Sequence, residues 1–495
     1  MSQIQISNLQ FCYPGSYDPV FSGLTLTLDD HWKLGLIGRN GRGKTTLLRL
    51  LLGQLHGQGH IQAQTSFCYF PAPVPQPTQT ARAVLRALGN GCPDWQLERE
   101  LNLLGVDACV LDRPYCTLSP GEQTKAQLAA LFTRENAFPL IDEPTNHLDC
   151  EGRMRLAAYL RRKPGFLLVS HDRSLLDGCV DHILSLGRAD IEVQKGNFSS
   201  WQQNRQQQDD FERAQNERLQ KEIARLSDAA RRTAAWSDQV EKTKYASKNS
   251  GLRPDRGFIG HKSAKMMRRA KSVERRRETA IEEKSALLHN VECVDDLTFS
   301  PLVHHAAQLL TLTEVAPCYD NRPVCAPVRL TVQPQERIAL AGGNGAGKSS
   351  LLALLAGQPL EHTGTIVRAS GLIVSYVPQQ TEGLSGSLAA YAAACGIEYS
   401  LFLTILRKFG FARAQFEKDL SAFSEGQKKK TLLARSLCQH AHLYVWDEPL
   451  NFVDLETRQQ LEDVLRRIQP TLVFVEHDRA FTTQIATRTL TLTPP

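Results

Sequence analysis

Apolar and polar positions alternate with period two from Ile4 to Phe11 and again from Leu24 to Leu28, which predicts two strands with one buried face each. The pattern then changes. KLGLIG is a continuous apolar strand, RNGRGKTT a glycine-rich loop, and LLRLLLG an amphipathic helix. Further on, LSPGEQTKAQLAALF reads as a helix opened by Ser119 and Gly121, and the apolar runs of AFPLIDEP and LLVSHDR read as buried parallel strands. Pro139 inside the first of these runs lacks a ladder donor, so a local irregularity is expected there.

The same succession returns in ALAGGNGAGKSSLLALLAG, FSEGQKKKTLLA, LYVWDEPLNFVD and VFVEHDR. From Gly38 to Gly342 the offset is 304, from Ser119 to Ser424 and from Asp142 to Asp447 it is 305, and from His171 to His477 it is 306. Four motifs in register mark an internal duplication. Between the copies the period becomes helical. Leu219, Ile223, Leu226 and Ala230 form one seam and Met266, Ala270, Val273, Ala280 and Leu287 a second, which predicts two helices paired as a coiled-coil hairpin.

Charge is concentrated at the tip of that hairpin. Lys242 to Arg277 contains 13 Lys and Arg against Asp255 and Glu274, whereas the whole chain carries a net charge of only +6, so the two repeats together are slightly acidic. A charge run is ordinarily a solvated helical skin. Here Trp236, Tyr245 and Phe258 are interleaved with the cations, a composition suited to nucleic acid. The 495 residues suffice for two or three domains. The 12 cysteines include no C-x2-C pair, which supports neither a zinc site nor a disulfide framework, and no apolar run is long enough for a membrane span. A cytoplasmic protein is expected.

Each repeat carries the chemistry of a phosphate site. Gly38, Gly41 and Gly43 let backbone N–H groups turn toward phosphates, Lys44 supplies a point charge, and Thr45 is placed to ligate magnesium, with Asn40 and Thr46 in the same loop. Asp142 at a strand's C-terminal end suits magnesium, Glu143 suits polarising an attacking water, and His171 is positioned for the γ-phosphate. Gly342, Asn344, Gly345, Gly347, Lys348, Ser349, Ser350, Asp447, Glu448 and His477 take the corresponding places in the second repeat.

A phosphate loop, an LSGGQ-like signature, D-E-P-T-N-H-L-D and a switch histidine in this order resemble the ATP-binding-cassette (ABC) ATPases, over almost all of each repeat. The resemblance implies an α/β fold of two ABC-type P-loop ATPase domains joined by a long α-helical hairpin: residues 1–200, a linker over 201–303, and 304–495. It implies ATP and Mg2+ as ligands and a head-to-tail pairing of cassettes within one monomer. Lys44 would then share a nucleotide with Ser424, Gly426 and Gln427, and Lys348 with Ser119, Gly121 and Gln123. Tyr13 and Tyr319 take the places where family members stack adenine. Gln379 in YVPQQ fits the family's metal- and γ-phosphate-sensing glutamine, whereas the first repeat has Ala72.

The basic hairpin between duplicated cassettes resembles the F-type members that bind ribosomes. WSDQVEKTK, the NSG-RPDRGFIGHKSAKMM stretch and SVERRRETAIEEKS resemble the antibiotic-resistance members of the Lsa and Vga kind. Such a protein would enter the exit site of the 70S ribosome and reach past the P-site tRNA toward 23S rRNA at the peptidyl-transferase centre. It would dislodge lincosamides, streptogramin A and pleuromutilins there, with Lys242, Lys244, Tyr245, Arg253 and Phe258 at the contacting tip. Helices of about 30 to 40 residues would reach roughly 45 to 60 Å. An F-type translation factor without a resistance role, or the ATPase subunit of an importer with its permease, are the alternatives.

Overall fold

The computed structural model describes residues 3–14, 19–146, 148–187, 191–243, 297–320 and 322–494. The chain forms two compact units, one comprising Met1–Trp201 with Asp295–Pro495 and the other Gln202–Val294. The larger unit holds both repeats, each built on two sheets.

In the first repeat the alternating segments become the antiparallel strands Gln3–Phe11 and Phe21–Asp29, joined by Gln58–Gln62. The continuous apolar runs become the centre of a second sheet. Its order is Ser66–Phe70, Ala137–Asp142, Phe166–Val169, Lys33–Gly38, His182–Leu186 and Ile191–Lys195. All neighbours are parallel except the last pair. Buried on both faces, these strands divide the core: Leu140 and Leu167 pack toward the antiparallel sheet, while Ile141 and Leu168 pack toward the helices. The second repeat has a four-stranded antiparallel sheet and a fully parallel five-stranded one, ordered Val374–Val377, Leu443–Asp447, Leu472–Val475, Arg337–Ala341 and Arg488–Thr491. Trp446 and Phe474 face its helical side, Val445 and Val473 the other.

Pro139 does not disturb its strand. The pairing with Ser66–Phe70 runs through Cys68↔Pro139 without a register shift, and the pairing with Phe166–Val169 begins only at Leu140. The proline therefore sits where its strand has a partner on one side, and its missing N–H breaks no ladder.

A helix of 46 residues, Phe198–Thr243, leaves the first repeat. Its root is anchored by Phe198, 1% exposed, with Trp201 packed against the same helical core. At 1.5 Å per residue it is about 69 Å long, longer than the hairpin arm expected from the sequence because it starts inside the first cassette. Lys242 falls near its end. The seam from Met266 to Leu287 and the tip residues Lys244, Tyr245, Arg253 and Phe258 lie outside the described residues.

Candidate functional site: two sites shared between the repeats

Parallel order places the chain's chemistry at one edge of each sheet. Gly38 ends one strand and Asp142 another, Glu143 follows directly on the latter, and His171 stands two residues beyond the neighbouring strand Phe166–Val169. The loop after Gly38 closes at Gly43, whose φ of 90° is left-handed and which precedes the helix Lys44–Leu51 without any side-chain cap. The first-turn N–H groups are thus left to an anion. Gly347, at φ 76°, opens the helix Lys348–Ala356 in the same way.

The lysines are buried and folded over their loops. Lys44 Nζ donates to Gly38 O at 2.6 Å, and Lys348 Nζ donates to Gly342 O at 2.9 Å and Gly343 O at 2.8 Å. Burial lowers the pKa of both ammoniums. Thr45 Oγ1 donates to Asp142 Oδ2 at 3.2 Å, and Ser349 is hydrogen-bonded to Asp447. Burial pushes Asp142 up and Asp447 up to about 6. Asp447 is 1% exposed and its Oδ1 has no hydrogen-bond partner. An orphaned buried carboxylate oxygen beside a hydroxyl is a donor set that fits a hard divalent cation such as Mg2+.

Glu143 and Glu448 both hold left-handed backbone, at φ 49° and 45°, and each N–H donates to the neighbouring strand, Glu143 to Val169 O and Glu448 to Val475 O. Each faces a histidine. Nε2 of His171 lies 3.4 Å from Glu143 Oε1, and Nε2 of His477 lies 3.4 Å from Glu448 Oε1. The two carboxyls nevertheless differ. Burial, with Asp142 adding to it, raises Glu143 to about 7. For Glu448 burial also acts upward, but hydrogen bonds from His477 and Gln379 and the charge of Lys429 outweigh it and hold the group below its ordinary value. Ala72, in the place of Gln379, has no such amide to offer. Burial and the nearby Lys44 keep His171 well below the usual histidine range, so it is neutral.

Tyr13 and Tyr319 are 40% and 53% exposed, with hydroxyls fixed to matching positions: Thr46 Oγ1 at 2.8 Å and Ser350 Oγ at 3.1 Å. Each ring is thereby held beside its loop and remains partly open to solvent.

The repeats complete one another. A cavity of about 480 Å³ is lined by Lys348, Gln379, Glu448 and His477 from the second repeat and by Ser119 and Gly121 from the first. On the other side, Asn40 Nδ2 donates to Phe452 O at 3.0 Å, and Arg39 pairs with Glu456. Gly426 meets this loop so closely that an added Cβ would stand 2.9 Å from Asn40 Nδ2 and 2.5 Å from Phe452 O. The ion pair Arg173–Glu462 at 3.1 Å, both side chains buried, also crosses between repeats, and Leu455 packs into the first repeat's helical core.

Ser119 and Ser424 cap their helices, each in a capping box whose third residue is Glu122 and Gln427 respectively. Gln123 is therefore not the counterpart of Gln427. Its amide donates to Tyr115 O and Leu118 O of its own loop.

Sequence reasoning passed over the residues that hold these parts together. Lys429, Lys430 and Asp454 are buried around the second signature helix, Glu425–Cys438, and Lys430 pairs with Asp454. Arg458 donates to Val453 O and Leu450 O, pinning the loop that carries Phe452, and Arg153 donates to Leu148 O in the first repeat. The spacing of Gly426, Lys429, Leu433 and Leu437 on one helical face was a signal for the burial of Lys429.

Comparison with known proteins extends over nearly the whole chain. A family model described as ABC transporter matches residues 21–146 and 325–451. The ATP-binding protein Uup of Caulobacter vibrioides is 28% identical over 96% of this chain and 75% of its own length. The ribosome protection protein VmlR of Bacillus subtilis is 27% identical over 93% and 82%. The energy-dependent translational throttle protein EttA of Haemophilus influenzae is 23% identical over 95% and 88%. Among solved structures, the archaeal ribosome recycling factor aABCE1 in complex with the stalk protein aP1 superposes with a TM-score of 0.58 at 20% identity, covering 93% of this chain and 83% of that one, a likeness of fold.

Proposed function

The chain belongs to the ABC transporter family, as an ATP-hydrolysing protein similar throughout to F-type ATP-binding proteins, and we propose that it uses ATP to act on the ribosome. The observation that carries this reading is a basic, aromatic-bearing segment of 13 Lys and Arg set between two cassettes that complete each other's sites. Among the described residues no helix is long and apolar enough to cross a membrane.

In each site the loop amides and Lys44 or Lys348 bind the phosphates, Tyr13 or Tyr319 stacks on the base, and the facing Ser424–Gly426–Gln427 or Ser119–Gly121 closes over them. Glu143 and Glu448 accept the proton of the attacking water, and His171 and His477 orient it. Thr45 with Asp142, and Ser349 with Gln379 and Asp447, would hold Mg2+, which when bound screens the charge of the phosphates. Closure lets the cassettes grip, and hydrolysis times release.

The finer reading is target protection. The ATP-bound protein enters the exit site, and Lys242, Lys244, Tyr245, Arg253 and Phe258 approach 23S rRNA and P-site tRNA, displacing lincosamides, streptogramin A and pleuromutilins. Similarity to the ribosome protection protein VmlR supports this, and similarity to the translational throttle protein EttA supports a translation factor without resistance. Expression in a drug-sensitive bacterium decides between them. The resistance reading expects raised tolerance with the full chain and none with Ser247 to Gly257 deleted, provided both proteins co-sediment with ribosomes. Co-sedimentation without tolerance leaves the translation-factor reading, and absence of co-sedimentation overturns both.

The sites are expected to contribute unequally. Gln379, whose place in the first site is taken by Ala72, favours the second site, so Glu448→Gln should remove more steady-state ATPase than Glu143→Gln. Equal residual rates would remove the reason for assigning weight to Ala72.

A further inference from the structure

The second cassette carries Lys429 at the position where the first has Thr124, one turn into the signature helix. A lysine in this place is costly. It is 0% exposed, and a buried ammonium is retained only where its donors are used. All three are: Nζ donates to Pro378 O at 2.8 Å, to Gln379 O at 3.4 Å and to Asp447 O at 2.9 Å. The first two carbonyls belong to the loop carrying the Gln379 amide, and the third to the residue whose Oδ1 is orphaned beside Ser349. One side chain thus ties together two backbone segments whose side chains converge on the same place.

The first cassette solves this differently. There Gln127, three residues further along the helix than Thr124, holds only the loop, accepting from Ala72 N at 3.1 Å and donating to Ala72 O at 3.3 Å and Tyr115 Oη at 2.9 Å. The carbonyl of Asp142 has no share in that clamp. Leu432 occupies the position of Gln127 in the second cassette, so Lys429 replaces the amide clamp and extends it to the neighbouring strand.

We propose that Lys429 is a positioning residue of the second ATP site, fixing the separation between the Gln379 loop and Asp447, the residues that would hold a metal ion there. With its three Nζ donors spent on backbone carbonyls, Lys429 acts through the segments it holds. Its effect therefore falls on metal-dependent binding and on turnover, and spares contacts made by the phosphate loop itself.

The test is Lys429→Met in full-length protein carrying Glu143→Gln, which leaves the second site as the one turning over. ATP affinity is measured by equilibrium binding without and with Mg2+, alongside kcat and KM. The expected result is unchanged ATP affinity without Mg2+, a Mg2+ requirement raised by about tenfold, and kcat lowered by a similar factor with KM nearly constant, the scale of losing an outer-shell partner. Lys429→Gln, which keeps donors, should recover most of both. A variant that loses affinity equally with and without Mg2+ assigns Lys429 to general core stability and overturns the proposal, as does one in which nothing changes. If Lys429→Met does not accumulate folded, Lys429→Thr, the residue of the first cassette, is read against the same outcomes.

Discussion

Replacing both Glu143 and Glu448 by Gln is expected to lower ATP turnover about 10³-fold, within the range of losing a general base, while ATP still binds. Both carboxyls occupy left-handed backbone at the end of a strand, each 3.4 Å from a histidine and each beside a residue with an oxygen suited to Mg2+. Gln preserves the shape of the side chain yet cannot accept the water's proton. Neither lysine nor signature is altered, so the cassettes should close and remain closed, and the protein should accumulate on 70S ribosomes. The measurements are steady-state phosphate release, ATP retention after gel filtration, and ribosome sedimentation. Turnover at the parental rate would end the assignment of these glutamates as bases.

The second large effect is on stability. Lys430 and Asp454 form an ion pair 5% and 2% exposed, with Lys430 Nζ also donating to Phe409 O at 2.8 Å and Asp454 Oδ1 accepting from Thr457 N at 2.9 Å as the cap of the helix Leu455–Ile468. Asp454→Asn keeps the cap and removes the charge, stranding a buried ammonium, which is expected to cost about 3 kcal/mol. Burial alone would raise the Asp454 carboxyl, but Lys430 and the Thr457 N–H bring it well below the ordinary range. A depressed carboxylate stabilises above its unfolded value of about 3.9, and the benefit is lost as pH falls through the lower folded value. The gap between parent and Asp454→Asn in denaturant unfolding should therefore be constant near neutrality and narrow below about pH 4. A gap of the same size from about pH 7 down to about pH 2 would show that the charge is not its source.

Much of this architecture was visible in the amino-acid order because its backbone leaves few choices. A phosphate loop needs glycine where φ is positive, a strand before it and a helix after it, and the apolar runs ending in Asp142 and Asp447 had to be parallel strands covered on both sides. The near-constant offset of the repeats then located the counterparts of the phosphate loop, Asp142, Glu143 and His171. What escaped was settled by three-dimensional neighbours. KKK in the second signature reads as solvated charge, but only Lys428 of the three lies near solvent, because Lys429 and Lys430 fall on the face turned toward carbonyls and a carboxylate. Gln123 was misplaced by one residue because the sequence distinguishes Gln from Glu by chemistry, whereas the capping box selects the third helical position, Glu122. Pro139 looked disruptive until the short partner strand showed that no ladder bond was due there.

Because Ser119 lines the cavity of Lys348 and Gly426 abuts the loop of Lys44, neither half of the chain owns an ATPase. Two severed halves would have to find each other at whatever concentration the cell supplied. Here the stretch Gln202–Val294 makes that meeting intramolecular, at an effective concentration of the millimolar order typical of tethered partners. Pairing is thus independent of how much protein is made. A single molecule is a complete machine, and a low copy number lowers the number of engines without weakening any one of them.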